Sequence, residues 1–302
     1  MRKLDFKIKK ATDLRLDRFL QERLSQYTRQ DLSLSEIKTL VDSGHVFLNK
    51  KRCRICSKPL IKGATVSLFW GKLSSDLEDL DPLIAYEDRD VIVLNKPPGV
   101  PSQSTLNRTE DNLYEALIFH LTQRQPEVLA YAGLIHRLDK GTSGLIAFSK
   151  SKRINGSLSS QFQNHKIKKV YLAIVESDSR PNEKWTSEAP LKRVKTAKGY
   201  KTESHPQGQE AMTHFKLLKE LTEKRWLIEA QPLTGRTHQI RCHLSEAGQP
   251  IEGDRLYNSS SPKKHGLMKL HAHKLSFHNP YLKKDVTVEA PVWTDFTDKV
   301  EK

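Results

Sequence analysis

The segment Gly133-Leu134-Ile135-His136-Arg137-Leu138-Asp139-Lys140-Gly141-Thr142-Ser143-Gly144-Leu145 sets one carboxylate among basic neighbours, in a glycine-containing bend ahead of an apolar run. Arg137 and a protonated His136 beside Asp139 favour its ionised form, the glycines let a substrate backbone come close, and a strand behind the bend holds it rigid. Such a carboxylate suits attack on, or proton removal from, a bound substrate. The plainer alternative is an Asx-type turn closed by Asp139 and Thr142, with Arg137 a solvated charge.

A second segment, Leu233-Thr234-Gly235-Arg236-Thr237-His238-Gln239-Ile240-Arg241-Cys242-His243-Leu244, is dense in groups that bind anions. Thr234 or Thr237 is the expected cap of a helix beginning near His238, which places Arg241 about one turn further on. Either arginine can meet a carboxylate held elsewhere; both can equally be surface charges on an amphipathic helix. Between the two segments, Lys169-Val170-Tyr171-Leu172-Ala173 alternates as a strand, with Lys169, Tyr171 and Ala173 on one face. A tyrosine there can stack on a base or serve a proton, or simply lie half-buried on a sheet.

The elements that must carry these residues follow from periodicity. Leu16, Phe19, Leu20 and Leu24 recur at helical spacing, and a second helix is expected from Ser35 as its cap to Gly44 past its end. Alternation at 46–49 and 64–70 predicts a short hairpin under the helical pair. The acidic stretch 72–83 is read as a linker between a domain over 1–71 and a larger one over 84–302. In the larger part a helix is expected from about Asn112 to Arg124. Strands are expected at 91–94, 145–148, 169–175, 212–218, 226–230, 269–277 and 285–288. Successive strands without regular intervening helices predict an α+β domain on a mixed, largely antiparallel sheet, behind a small N-terminal α+β domain.

The 302 residues include 51 Lys and Arg against 36 Asp and Glu, a formal charge of +15 that favours a polyanionic partner such as nucleic acid. No apolar run reaches the roughly 18 residues of a spanning helix, so no membrane role is expected. The three cysteines, Cys53, Cys56 and Cys242, make no disulfide framework and fit a reducing cytoplasm. A lone Cys53-x-x-Cys56 pair is weak as a zinc site; the cluster His265, His271, His273 and His278 invites a metal reading as well, yet His271 and His273 alternate on a strand, and neither metal nor cofactor is expected. Lys192, Arg193, Lys195, Lys198 and Lys201, and Lys50, Lys51, Arg52 and Arg54, are two cationic runs suited to an RNA backbone.

Taken in order, His136-Arg137-Leu138-Asp139 with Thr142-Ser143-Gly144, Lys169-x-Tyr171, Thr234-Gly235-Arg236-Thr237-His238-Gln239-Ile240-Arg241-x-His243, Gly253-Asp254-x-x-Tyr257 and Leu270-His271-Ala272 resemble the RluA-type pseudouridine synthases. The resemblance spans about 86–292, and Asn95-Lys96-Pro97-Pro98-Gly99 is similar to the family's first strand exit. Arg15-Leu16-Asp17-Arg18-Phe19-Leu20, Gly44-x-Val46 and Asn49-Lys50-Lys51 resemble the small RNA-binding module shared with ribosomal protein S-four.

The resemblance implies an intramolecular transferase that breaks the N1–C1′ bond of a flipped-out uridine, rotates the uracil, joins C5 to C1′ and removes the C5 proton. It implies Asp139 as nucleophile or base, Arg241 as the arginine set against it with Arg236 as the alternative, and Tyr171 as the residue stacked on uracil and able to accept a proton late in the reaction. His136 and Arg137 are then expected to contact phosphate or fill the gap left by the extruded nucleotide. Large-subunit ribosomal RNA is the expected substrate and a cytoplasmic monomer the expected form, with transfer RNA, or a non-catalytic RNA-binding or ribosome-assembly role, as alternatives. A metal-dependent nuclease is disfavoured because no carboxylate cluster suited to Mg²⁺ stands out.

Overall fold

In a computed structural model of the protein, the described residues are 2–9, 14–28, 31–42, 44–70, 75–103, 111–125, 127, 129–196, 199–222, 224–258, 266–293 and 296. The chain divides into two units, Met1–Leu80 with Ser104–Ala132, and Asp81–Gln103 with Gly133–Lys302.

The first unit contains β1 (Arg2–Lys7), α1 (Leu16–Thr28), α2 (Leu34–Asp42), β2 (Val46–Leu48), β3 (Lys51–Arg52), β4 (Thr65–Trp70), α3 (Ser75–Glu78) and α4 (Leu113–Arg124). Its strands make an antiparallel sheet in the order β1-β4-β2-β3. Leu16, Phe19, Leu20 and Leu24 of α1 are buried with Ile37 and Val41 of α2 and with Val46, Val66 and Leu68 of the sheet, as their spacing predicts. The expected hairpin is in fact part of four strands. In β1 only Leu4 and Phe6 are apolar among charged neighbours, so the strand exists by pairing with β4 and carries little signal of its own.

The cap of α2 is Ser33, not Ser35. Its Oγ accepts from the Glu36 N–H at 3.3 Å while the Glu36 carboxylate accepts from the Ser33 N–H at 2.8 Å, a capping box that Ser-x-x-Glu encodes. Gly44 lies past the helix end with φ +79°, as expected. Within the acidic stretch, Leu77 and Leu80 are buried. Asn112 caps α4 by accepting from the Glu115 N–H, and Phe119 packs on Phe69 and His45 at ring separations of 5.3 and 5.7 Å.

The second unit contains β5 (Ile84–Glu87), β6 (Val91–Lys96), β7 (Gly133–Leu134), β8 (Ser143–Ser149), α5 (Lys152–Gln163), β9 (Lys168–Glu176), β10 (Lys184–Ser187), β11 (Leu191–Thr196), β12 (Gly199–Ser204), β13 (Thr213–Thr222), β14 (Arg225–Pro232), α6 (Gln239–Glu246), β15 (Leu270–Asn279) and β16 (Lys284–Glu289). Its main sheet runs β10-β13-β14-β9-β15-β8-β6-β5, with β16 on β15 and β7 on β8. Every pairing is antiparallel except β15 with β8, so the sheet is mixed and largely antiparallel, as expected.

That parallel join explains one glycine. Gly144 has φ +102°, and a Cβ there would lie 2.3 Å from the Ala272 carbonyl oxygen, so the glycine admits a neighbouring strand and not, as the sequence suggested, a substrate backbone. Two cores flank the sheet: Val91, Val93, Leu145 and Ala147 meet Ile154 and Leu158 of α5, while Ala173, Val175 and Ile228 meet Ile240 and Leu244 of α6. In the basic run, Lys192, Arg193 and Lys195 lie on β11 and Lys201 on β12, which pair as a two-stranded ribbon.

Candidate active site

Asp139 sits in the bend between β7 and β8 and is held from two sides. Ser102 Oγ donates to the Leu138 carbonyl at 2.8 Å and accepts from the Leu138 N–H at 3.1 Å, clamping the residue before it. Lys96, wholly buried at the end of β6, donates its three protons to the carbonyls of Pro97, Val100 and Lys140, the last directly after Asp139. Burial pulls the Lys96 ammonium down to about 7, against the opposing charge of Asp139. Backbone and side chain of Asp139 have different tasks: its carbonyl closes the turn with the Thr142 N–H, while its carboxylate faces outward to α6. The Asx alternative therefore fails.

The residue opposite is Arg241, not Arg236. Arg241 Nη1 donates to Asp139 Oδ2 at 2.9 Å, bridging 102 positions of sequence. Its other edge is paired bidentately with Asp254, Nε to Oδ2 at 2.7 Å and Nη2 to Oδ1 at 2.9 Å. Burial works against this charge, but the hydrogen bonds and charge of Asp254, and then those of Asp139, hold the guanidinium above its ordinary range. Asp254 Oδ1 also accepts from the Leu256 and Tyr257 N–H groups, and the Tyr257 ring lies under the guanidinium, 5.0 Å from centroid to Cζ. Arg236 turns away, donating from Nε to the Glu210 carbonyl at 2.9 Å, though it stays on the pocket wall.

Helix α6 starts differently from expectation. Neither threonine caps it; the N-cap is His238, in the left-handed region at φ +57°. The Gln239 side chain satisfies the turn, accepting from the Arg236 N–H and from Thr234 Oγ1. A small polar side chain in extended backbone would have capped the helix without strain; His238 takes the positive φ instead, with no side-chain cap hydrogen bond. His238 directs Nε2 toward Asp139 Oδ2, 3.7 Å away, and Nδ1 toward Tyr257 Oη at 3.1 Å.

Tyr171 reaches the same pocket from β9. Its cross-strand neighbours are Ala230 and Ala272, small residues that leave room for the ring. Burial, helped by Asp139, pushes its phenol well above the ordinary range, so it holds its proton. Two positions earlier, Lys169 donates to the Thr234 carbonyl at 2.9 Å, and burial brings its ammonium down to about 8. The whole cavity, about 500 Å³, is open to solvent and is lined by Asp139, Tyr171, Arg241, His136, Arg137 and Arg236 among others, all in the second unit.

His136 does not supply the positive charge expected of it. Its ring is stacked 4.4 Å from Phe162, Nε2 accepts from the Ala147 N–H at 3.0 Å, and burial, with Lys169 adding to it, drops its pKa to about 3. It is a neutral wall of the pocket. Arg137 is exposed. Of the two cationic runs, Lys192, Arg193 and Lys195 are exposed on β11, and Arg193 lies over the Tyr200 ring at 3.8 Å. Lys198 lies outside the described residues. In the first unit Lys50 and Lys51 are exposed, whereas Arg52 is half-buried over the Phe47 ring. Three of the four histidines have separate partners: His271 with Ser143, His273 with the Ala290 carbonyl, His278 with Asp285. His265 lies outside the described residues.

Four supports of the site went unassigned in the sequence: Ser102, Lys96, Lys169 and Asp254. Asp254 and Tyr257 stood in a recognisable motif without a role. Nothing in the spacing of Ser102 or Lys96 signals a contact with a bend some 40 residues away.

The residues 90–246 match the RNA pseudouridylate synthase family. A ribosomal large subunit pseudouridine synthase D from Borreliella burgdorferi is 33% identical over 284 residues, covering 90% of this chain and 84% of that protein. One of the same name from Zymomonas mobilis is 30% identical over 298 residues, covering 93% and 91%. Among solved structures, human RNA pseudouridylate synthase domain containing 1 superposes with a TM-score of 0.60 at 26% identity, covering 74% of this chain and 89% of that one.

Proposed function

The chain belongs to the RNA pseudouridylate synthase family, and on that footing we propose that it is an RluA-type enzyme converting uridine to pseudouridine in large-subunit ribosomal RNA, with Asp139 as its nucleophile or base. The family activity is isomerisation of uridine in RNA. The observation that carries the residue assignment is the Asp139–Arg241 contact of 2.9 Å, in the wall of a cavity that Tyr171 also lines.

The chemistry needs one ionised carboxylate at C1′, a way to aim it and a surface for the free uracil. Asp139 attacks the sugar, or takes a proton from it, as positive charge develops there. Arg241, itself held by Asp254, aims the carboxylate. Tyr171 offers its ring for stacking on uracil, and its retained proton suits it to packing and hydrogen bonding. A uridine in structured RNA has to leave its stack to reach the cavity, and exposed Arg137 fills the space it vacates. Lys192, Arg193 and Lys195 on the ribbon grip the backbone nearby, with Lys198 in the same run. Lys50 and Lys51 do so from an N-terminal S-four-like module. Arg236 and the neutral ring of His136 shape the pocket wall. Large-subunit ribosomal RNA as substrate is supported by the names of the Borreliella and Zymomonas relatives and by that N-terminal module.

The test is Asp139→Asn with pseudouridine mapping. The variant is expected to keep its RNA affinity within about threefold and to lose turnover by at least about 1,000-fold, since the residue serves chemistry rather than binding. Mapping total RNA with and without the gene is expected to remove pseudouridine from large-subunit ribosomal RNA. Loss from transfer RNA instead would overturn the substrate assignment, and an active Asp139→Asn would overturn the residue assignment.

A further inference from the structure

The last step of the isomerisation leaves C5 bonded to both C1′ and a hydrogen, and that proton has to go to some base. We propose that His238 Nε2 takes the C5 proton, a role that rests on Asp139 being the group that meets the sugar.

The tautomer of His238 follows from its neighbour. Tyr257 Oη has one hydrogen, which it donates to the Thr202 carbonyl at 2.8 Å; the Thr202 N–H donates back to Oη at 2.9 Å. Thr202 is buried, so this pair of bonds satisfies backbone groups that water does not reach. The third contact of Oη, at 3.1 Å to His238 Nδ1, then requires Nδ1 to be the donor. A neutral imidazole with its proton on Nδ1 carries its lone pair on Nε2. That atom lines the cavity 3.7 Å from Asp139 Oδ2.

Four of the other pocket groups are already committed. Tyr171 holds its proton, Arg241 is a paired cation, His136 Nε2 accepts from a backbone N–H, and Lys169 donates to a carbonyl. When C5 joins C1′ it occupies the place beside Asp139 that the departing oxygen or N1 held, next to Nε2. The electron pair of the C5–H bond restores the C5–C6 double bond, the C6–N1 π pair returns to N1, which takes a proton from water, and the C5 proton passes to Nε2; the imidazolium forms beside the freed Asp139 carboxylate before giving its proton to water. The surroundings suit this sequence. Burial lowers the His238 pKa and keeps the resting ring neutral, Asp139 and Asp254 favour the imidazolium, and Arg241 and Arg137 oppose it.

His238→Asn is the discriminating variant. Asparagine tolerates the left-handed backbone, and its amide can still donate toward Tyr257 Oη, but it has nothing at the Nε2 position. Turnover of uridine RNA is expected to fall by about 100-fold or more, and a kinetic isotope effect from deuterium at C5 is expected to exceed the wild type's and to rise above about 2. RNA carrying 5-fluorouridine has no C5 proton to lose, and its consumption by the variant is expected to stay within about twofold of wild type. A parallel fall in 5-fluorouridine consumption would show that His238 only supports Asp139, and an unaltered uridine rate would show that another base serves; either overturns the proposal. Asp139→Asn separates the two levels: if it consumes both substrates normally, the reading of Asp139 itself is wrong.

Discussion

Asp254 occupies Nε and Nη2 of Arg241 and leaves Nη1 as the edge that meets Asp139, so two carboxylates share one guanidinium without sharing an atom. The side chain of Asp254 is fully buried and that of Asp139 is about one fifth exposed. One carboxylate anchors and the other faces substrate.

Arg241→Lys should therefore separate aim from charge. A lysine ammonium cannot span both carboxylates with a planar fork, so turnover should fall about 100-fold while RNA affinity changes less than threefold. Single-turnover kinetics beside a binding titration checks this; an equal loss in both would mean that Arg241 binds RNA.

Asp254→Asn leaves a buried guanidinium with half its charge compensation. Urea denaturation should show a loss of about 3 kcal/mol, in the range for breaking a buried pair. A change below about 0.5 kcal/mol would mean that water reaches the pair.

Gly144→Ala should fail at the β8–β15 join. The added carbon would sit 2.3 Å from the Ala272 carbonyl at a φ that L residues rarely adopt. A thermal melt should drop by roughly 10 °C or more, with turnover lost because Tyr171 and the Asp139 bend flank that join.

The neutral, half-buried His136 makes stability fall in acid. Its folded pKa, about 3, lies below the ordinary 6.5, so the unfolded chain binds a proton first as pH drops. Stability is full above 6.5 and is lost progressively toward 3. His136→Gln keeps an acceptor for the Ala147 N–H without titrating, so between pH 7 and pH 5 the wild type should lose roughly 1–2 kcal/mol more than the variant. Equal losses would assign the acid sensitivity elsewhere, for instance to His271, which burial also holds at about 4.

Lys192→Glu with Lys195→Glu should weaken RNA binding and reduce the slope of log affinity against log salt by about 2, one per lost phosphate contact. An unchanged slope would remove the ribbon from the interface.

Much of this protein is local information. The Leu16, Phe19, Leu20, Leu24 stripe, the strand alternation from 169 onward and the Asn112 start of α4 are written within a few residues, because helix and strand periods and caps are short-range physics. Asp139, Tyr171 and Arg241 stood out for the same reason, through residue type in ordered motifs.

Tertiary structure decided what short-range rules do not reach. β1 has too few apolar residues to declare itself and becomes a strand only on β4. Gly144 is a glycine because of a strand that arrives 128 residues later. Choosing Arg241 over Arg236 depended on which helix face α6 turns to the bend, and that was set by a left-handed His238 where a threonine cap was expected. Ser102 and Lys96 support Asp139 through backbone carbonyls, which every residue possesses and no side-chain motif records.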